Sequence, residues 1–350
     1  MFGYTNPIVQ EDMEQMAKTP SAWHKLNNKT VLVTGASGML ATYTTYFLCY
    51  IHKECGVNVR VVALCRNKSK ADALFSYFYS ESWFKLILQD ICEPIHCLGR
   101  IDYIFHLAGN ASPYFIKNDP VGIIKSNLIG TYNVLEFARD KEPEKVLFAS
   151  TREVYGKNED INLLTEDDYG SVNPLEDRAC YPESKRAAET MFRSYSLQYD
   201  INFNTVRIAH SYGPGMRLAC DGRVMADLMN NLINGEDIVL KSDGTAERAF
   251  IYITDAVLAM FSVLFSGEKG LAYNIANETE PISIRDLASL LASFSMDKQL
   301  KVVFDIPKIK SSTYTNYKRS GLDTKKLELL GWKPVVTLKE GVARTINSMR

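Results

Sequence analysis

No stretch of this chain reaches the roughly 18 consecutive apolar residues that a membrane span requires. The longest candidate, residues 43–51, is much shorter and reads as a buried helix. An excess of one charge sign is lacking too. Lys and Arg number 40 against 41 Asp and Glu, a formal net charge of -1, so nothing favours a polyanionic partner such as nucleic acid. The seven cysteines (Cys49, Cys55, Cys65, Cys92, Cys97, Cys180 and Cys220) contain no C-x-x-C pair and no regular spacing. Such an odd, irregular set reads as reduced thiols in a cytoplasmic protein, not as a disulfide framework. The histidines are scattered, none at ligand spacing from a cysteine or another histidine, which argues against a metal site. Internal repeats and low-complexity tracts are missing as well.

What remains is globular in character. With 350 residues, 46% hydrophobic and 23% charged, the chain can build one large or two medium domains with full cores. Residues 1–28, which include Gln10-Glu-Asp-Met-Glu-Gln15, lack the pattern of a signal or transit peptide. They are expected to form an N-terminal extension carrying one helix packed on the domain. From residue 30, short β-rich runs alternate with longer helical stretches. Six runs read as strands: 30–34, 57–64, 84–88, 101–107, 145–150 and 202–207. Helices are expected over 38–52, after the second strand, and over 121–139 and 181–199. The alternation predicts an α/β fold, a Rossmann-type doubly wound parallel sheet with helices on both faces. After Tyr212-Gly-Pro-Gly215 the regularity weakens, which predicts a smaller C-terminal α/β substrate-binding lobe.

Thr34-Gly-Ala-Ser-Gly-Met-Leu-Ala41 sits between the first strand and its helix. Gly35 permits the tight turn, Gly38 lets backbone approach a pyrophosphate at the helix N-terminus, and Ala41 takes the third small position. Ser37 and Met39 complete this candidate dinucleotide loop, and its placement between strand and helix separates it from a plain glycine turn. Asp90, with Ile91 beside it, ends the third strand; its carboxylate would accept from an adenine amino group or cap a helix. Leu107, Ala108 and Gly109 would line the cofactor with backbone after the fourth strand. NAD sites usually place an acid at the end of the second strand for the ribose 2′-hydroxyl. Here that run is Leu64-Cys-Arg-Asn-Lys68. Arg66 would accommodate a 2′-phosphate, stack on adenine, or stand solvated on the surface. NAD is favoured and NADP stays open. Residues 29–200 are expected to form the dinucleotide-binding domain, and 201–350 the last sheet elements and the substrate lobe.

Tyr181-Pro-Glu-Ser-Lys185 follows Ser150-Thr-Arg-Glu-Val-Tyr-Gly156 by thirty residues. A tyrosine and a lysine four apart on a helix share one face. The ammonium there would lower the phenol's pKa from its usual value of about 10. Such a tyrosine can take a proton from a sugar or alcohol hydroxyl while hydride leaves the same carbon. Thr151 would add a hydrogen bond to that oxygen, and Glu153 a carboxylate beside it. Arg152 stays charged at any working pH and cannot act as a general acid.

The loop at 34–41, the Thr151/Tyr181/Lys185 set and the alternation together resemble the extended short-chain dehydrogenase/reductase superfamily, in its nucleotide-sugar epimerase/dehydratase/decarboxylase branch. Within that branch five segments look most like UDP-glucuronate decarboxylases: Ala111-Ser-Pro113, Ser150-Thr-Arg-Glu-Val-Tyr-Gly156, Arg178-Ala-Cys-Tyr-Pro-Glu-Ser-Lys-Arg186, Asp221-Gly-Arg-Val224 and Gly244-Thr-Ala-Glu-Arg-Ala-Phe250. The resemblance implies a 4-keto sugar intermediate and internally recycled nicotinamide. It places Ser112, Arg223 and Arg248 at the substrate, Arg223 on the pyrophosphate and Arg248 on phosphates or a sugar carboxylate. Planar guanidinium forks suit both kinds of oxygen pair. Asn127 would bridge backbone and the active-site lysine through water, or lie on a helix surface. A UDP-sugar is the favoured substrate, and a homodimer is implied by analogy.

Dehydratases of the branch carry Thr-Asp-Glu and decarboxylases Thr-Ser-Glu, whereas this chain has Thr151-Arg152-Glu153. Losing the acid argues against 4,6-dehydration. Arg152 would hold a sugar carboxylate or turn away to pair with an acid such as Glu153. A 4,6-dehydratase, a 4-epimerase, an NADP-dependent 4-keto-sugar reductase and a non-catalytic NAD(P)-binding protein are the alternatives.

Overall fold

The computed structural model describes residues 2–158, 161–219, 221–295, 299–306, 319 and 321–350; Cys220 lies outside them. Seven strands form one sheet: β1 (Lys29–Thr34), β2 (Val59–Cys65), β3 (Phe84–Leu88), β4 (Tyr103–His106), β5 (Lys145–Thr151), β6 (Phe203–Ile208) and β7 (Ala272–Ile275). Their order is β7-β6-β5-β4-β1-β2-β3, and every pairing is parallel. Six of these strands match runs read from the sequence. β7 is additional: its Ala-Tyr-Asn-Ile run is too short and mixed to announce a strand, and it exists because Thr205 to Ile208 of β6 offer it a partner.

Eleven α-helices occur among the described residues: α1 (Pro7–Lys18), α2 (Met39–Glu54), α3 (Lys68–Phe75), α4 (Pro113–Asn118), α5 (Pro120–Lys141), α6 (Cys180–Tyr199), α7 (Val224–Ile233), α8 (Ile253–Ser266), α9 (Ile284–Ala292), α10 (Lys325–Glu328) and α11 (Leu338–Met349). None is long and apolar enough to cross a membrane.

Alternate residues of a strand face opposite sides of a sheet. Accordingly Val31 and Val33 of β1 enter the core with Phe47 of α2 and Phe261 of α8, whose rings lie 5.5 Å apart. Leu32 enters the opposite core with Val134 of α5 and Phe192 of α6. Residues 43–51, the longest apolar run, are indeed buried along α2, apart from a half-buried Tyr50.

A buried carboxylate helps hold the N-terminal extension on the domain. Asp12 of α1 accepts hydrogen bonds from the Tyr43 and Tyr252 hydroxyls, both at 2.8 Å, and from Arg344 Nε of α11, also at 2.8 Å. One buried acid thereby joins α1 to α2, to the start of α8 and to the C-terminal helix.

Strand order reverses between β1 and β4, which opens a crevice beyond their carboxyl ends. Here backbones nearly touch. Gly35 has φ 65°, and a Cβ on it would lie 2.6 Å from Ala108 Cα. Only glycine meets both demands without strain.

Candidate active site

A cleft of about 1740 Å³ runs from this crevice into the C-terminal lobe. Its walls include Gly35, Ser37, Gly38, Met39, Arg66, Asp90, Ile91, Leu107, Ala108 and Gly109 from the expected cofactor set. They also include Thr151, Arg152, Glu153, Tyr181 and Lys185, together with Ser112, Arg223 and Arg248. Folding thus brings together segments separated by more than two hundred positions.

At the cofactor end Gly38 is the N-cap residue of α2 and has no capping side chain. The first-turn amides of that helix are therefore available to an anion. Thr34 Oγ1 bonds His106 Nδ1 at 2.9 Å, and His106 Nε2 meets Thr131 Oγ1 at 3.1 Å, locking the ends of β1 and β4 together. Burial, followed by the Lys185 charge, pulls His106 down to about 3, so its ring is a neutral brace.

Asp90 Oδ1 accepts from the Cys92 amide at 2.9 Å, closing a turn; no helix begins here, so the helix-cap reading fails. That amide, then Arg66, holds the carboxyl below its ordinary range. Arg66 Nη1 reaches Asp90 at 3.4 Å, so part of its charge is met by a carboxylate.

Asn127 is not a surface residue. It is 1% exposed, its Nδ2 donates to Ser184 Oγ at 2.9 Å, and its buried Oδ1 has no partner. A Cβ on Gly109 would stand 3.1 Å from that oxygen and 3.2 Å from Lys185 Nζ. The bare Gly109 backbone and the orphaned acceptor leave room for a polar group beside Lys185. Together with the uncapped α2 terminus and the close Gly35–Ala108 approach, these residues fit a nicotinamide dinucleotide.

At the reacting end, β5 delivers Thr151 and a 3-10 turn (Arg152–Tyr155) follows at once, with Thr151 Oγ1 accepting from the Glu153 amide at 3.2 Å. Tyr181 and Lys185 rise from the first turns of α6, each 4% exposed. Tyr181 and Thr151 face the same end of the cleft. Burial and then the Glu153 carboxylate push the phenol well above its usual value; the Thr151 hydroxyl and the charges of Arg223 and Arg178 oppose them. Lys185 lies in the same wall of the cleft. Its Nζ donates to Ala149 O at 2.8 Å and lies 4.7 Å over the Phe148 ring, and burial pulls it down to about 8 despite the carboxylate of Glu189. Glu189 is itself engaged by Arg207 at 2.8 Å.

Glu153 does not pair with Arg152. Arg178 takes that place, with Nη2 at 3.1 and 3.4 Å from the two Glu153 oxygens. Arg178 was legible only as the first residue of the 178–186 segment; nothing local indicates that it reaches the residue following Arg152. On the substrate side, Arg223 forks onto buried Asp221 at 2.5 and 3.0 Å, and Ser112 Oγ donates to the Asp221 carbonyl at 2.8 Å. Tyr114 and Phe115 of α4 pack edge to face at 5.2 Å, with Arg217 over both rings.

Residues 31–276 match the NAD dependent epimerase/dehydratase family. The chain belongs to this family. Among curated members, UDP-glucuronic acid decarboxylase 6 of Arabidopsis thaliana is 33% identical over 316 residues, covering 90% of this chain and 87% of the relative. UDP-glucuronic acid decarboxylase 1 of Xenopus tropicalis is 33% identical over 325 residues, covering 93% and 73%. The fold is shared with UDP-glucose 4-epimerase of Thermotoga maritima, at TM-score 0.77 and 24% identity over 92% of this chain and 98% of that one. It is shared also with UDP-glucuronic acid 4-epimerase of Bacillus cereus in complex with NAD, at TM-score 0.75 and 22% identity over 91% and 96%. As a member of an NAD-dependent family, the chain takes NAD as its cofactor.

Proposed function

We propose that this enzyme decarboxylates UDP-glucuronate to UDP-xylose by a redox-neutral cycle. The observation that carries the reading is the cleft's reacting end: Thr151, Tyr181 and Lys185 are complete, while Arg152 stands where a dehydratase carries its leaving-group acid. Bound nicotinamide supplies the acceptor, and later the donor, of the hydride at sugar C4. The chain's residues do the rest. Tyr181 removes the 4-hydroxyl proton, aligned by Thr151, and the Lys185 ammonium lies in the same pocket. The resulting 4-keto uronate is a β-keto acid. Its C5–C6 bond breaks, carbon dioxide leaves, and the electron pair remains as an enolate that is protonated at C5 before C4 is reduced. No acid is needed for a departing hydroxyl. Gly35, Gly38 and the α2 terminus would hold the pyrophosphate, and Asn127 would orient a polar group beside Lys185.

Incubation with UDP-glucuronate is expected to release carbon dioxide and form UDP-xylose while bulk absorbance at 340 nm stays constant. No release at high enzyme concentration refutes the reading. A second reading, 4-epimerisation of the same substrate, is favoured by Arg152: a cation that binds the carboxylate too well stabilises the ground state and slows its loss. UDP-galacturonate as product would mark it.

The same reading extends to assembly and setting. Ile124, Ile129, Tyr132 and Leu197 leave apolar surface exposed on α5 and α6, which supports a homodimer through those helices. The enzyme works in the cytoplasm, with residues 29–200 as the cofactor domain and 201–350 completing the sheet and forming the nucleotide-sugar lobe.

A further inference from the structure

Phe2 of the N-terminal extension reaches the back of the cleft wall. A Cβ on Gly215 would lie 2.5 Å from Phe2 Cζ, and 2.7 and 3.0 Å from its two Cε atoms. The tip of the ring therefore presses on the Gly215 backbone and fills the space that a side chain there would need. Gly215 has φ 81° and lines the cleft together with Met216, Arg217 and Leu218. The same ring runs parallel to Tyr43 of α2, with centroids 6.3 Å and planes 7° apart, and lies 6.1 Å from Tyr46. Phe2 is thus wedged between the helix whose N-terminus faces the cofactor and a loop that forms part of the cleft wall.

The wedge is itself anchored. Tyr4, two residues on, is buried and meets the Tyr46 and Phe78 rings at 5.4 and 4.7 Å. The Asn6 amide donates to the Gly3 carbonyl at 3.2 Å, closing a turn, and Asn6 Nδ2 donates to Ser348 O at 2.9 Å. The loop in front of it relies on local bonds, from the Met216 amide to Gly213 O at 3.2 Å and from Arg217 Nε to Ala219 O at 3.0 Å. Arg217 lies over the Tyr114 and Phe115 rings, and the Tyr114 amide donates to the Asp221 carbonyl at 3.2 Å. Asp221 in turn carries Arg223. A backbone shift at Gly215 is therefore passed through Arg217 and α4 to the Asp221–Arg223 pair, by side chains in contact.

We propose that Phe2 is a positioning residue for nucleotide-sugar binding: it braces loop 213–218 against α2, so that this wall is already ordered when the ligand arrives. This rests on reading the lobe end of the cleft as the nucleotide-sugar site. Without the ring, the permissive backbone of Gly215 is free to move into the vacated space. The ligand must then order the loop as it binds, which weakens binding. Thr151 and Tyr181 are carried by β5 and α6, not by this loop. The loss therefore falls on KM and leaves kcat in place.

The test compares Phe2→Ala, Phe2→Leu and Val9→Ala with wild type, all NAD-loaded. Val9 is fully buried on α1, so its truncation loosens the extension and leaves Phe2 in place. Phe2→Ala is expected to raise KM for UDP-glucuronate about threefold to tenfold, with kcat within about twofold of wild type. Amide hydrogen exchange across residues 215–218 is expected to quicken in the same variant before substrate is added. Phe2→Leu keeps an apolar side chain against Gly215 and restores most of both, and Val9→Ala reproduces neither. Unchanged exchange or unchanged KM in Phe2→Ala overturns the proposal, as does an equal change in Val9→Ala. If wild type does not turn over UDP-glucuronate, the proposed reaction fails and the affinity for UDP, measured by titration calorimetry, replaces KM. Equal affinity in wild type and Phe2→Ala then overturns the brace, and failure of wild type to bind UDP sinks both.

Discussion

Replacing Lys185 with methionine is expected to abolish turnover and, at the same time, to stabilise the cofactor-free enzyme. The side chain is 4% exposed, and burial lowers its ammonium from 10.5 to about 8. At about 1.4 kcal/mol for each pH unit, the folded state carries a penalty of roughly 3 kcal/mol for keeping that charge at neutral pH. Methionine fills a similar volume without the charge but forfeits the bond to Ala149 O, a loss of about 1 kcal/mol. A net gain of about 2 kcal/mol follows from these two terms.

The pH dependence is the sharper signature. Below about 8 the amine is protonated in both folded and unfolded chains, so the wild-type penalty is present in full. Between about 8 and 10.5 the folded state has lost a proton that the unfolded chain keeps, and wild-type stability rises relative to the variant. Guanidinium unfolding of both cofactor-stripped proteins from pH 7 to pH 10 measures the difference directly. Other titrating groups cancel in the comparison. A destabilised variant, or a gain that stays flat across that range, refutes the account of Lys185 as a buried cation held for catalysis at the expense of stability.

Arg178→Met removes the partner of Glu153 and a cation that pulls down the Tyr181 phenol. Its kcat is expected to fall roughly tenfold to hundredfold with little change in KM, and the acid limb of the kcat/KM profile moves to higher pH because Tyr181 becomes harder to ionise. Gly35→Ala must place a Cβ 2.6 Å from Ala108 Cα at positive φ. It should cost about 1 kcal/mol or more and abolish retained NAD, measured by mass spectrometry of the denatured protein. Asp12→Ala leaves two buried tyrosine hydroxyls and Arg344 without their acceptor. A loss of roughly 3–5 kcal/mol in denaturant unfolding is expected, whereas Tyr43→Phe should lose about 1 kcal/mol.

Local patterning made much of this protein legible. Strand and helix periodicity located six sheet strands and the helices around them, because alternation and helical spacing are properties of contiguous residues. The glycine loop and the Tyr181/Lys185 pair were equally readable, since turn geometry and a shared helix face depend on neighbours a few positions apart. β7 was not readable, because four mixed residues become a strand only when β6 presents its edge. How the Lys185 ammonium is held was not readable either: spacing put it on one face with Tyr181, and packing set its Nζ on Ala149 O.

Charge partners were the least visible from sequence. Whether Arg152 or Arg178 meets Glu153 depends on how the turn after β5 sits against the N-terminus of α6. No spacing rule reaches across twenty-five positions. The same holds for Asp12, whose acceptor role unites residues from both ends of the chain. Sequence by itself determined the elements and the chemistry they carry, because those follow from covalent geometry and local periodicity. Tertiary structure alone decided which charges face one another and which are buried, because electrostatic energy depends on distance and solvent exposure, and neither is a property of a linear chain.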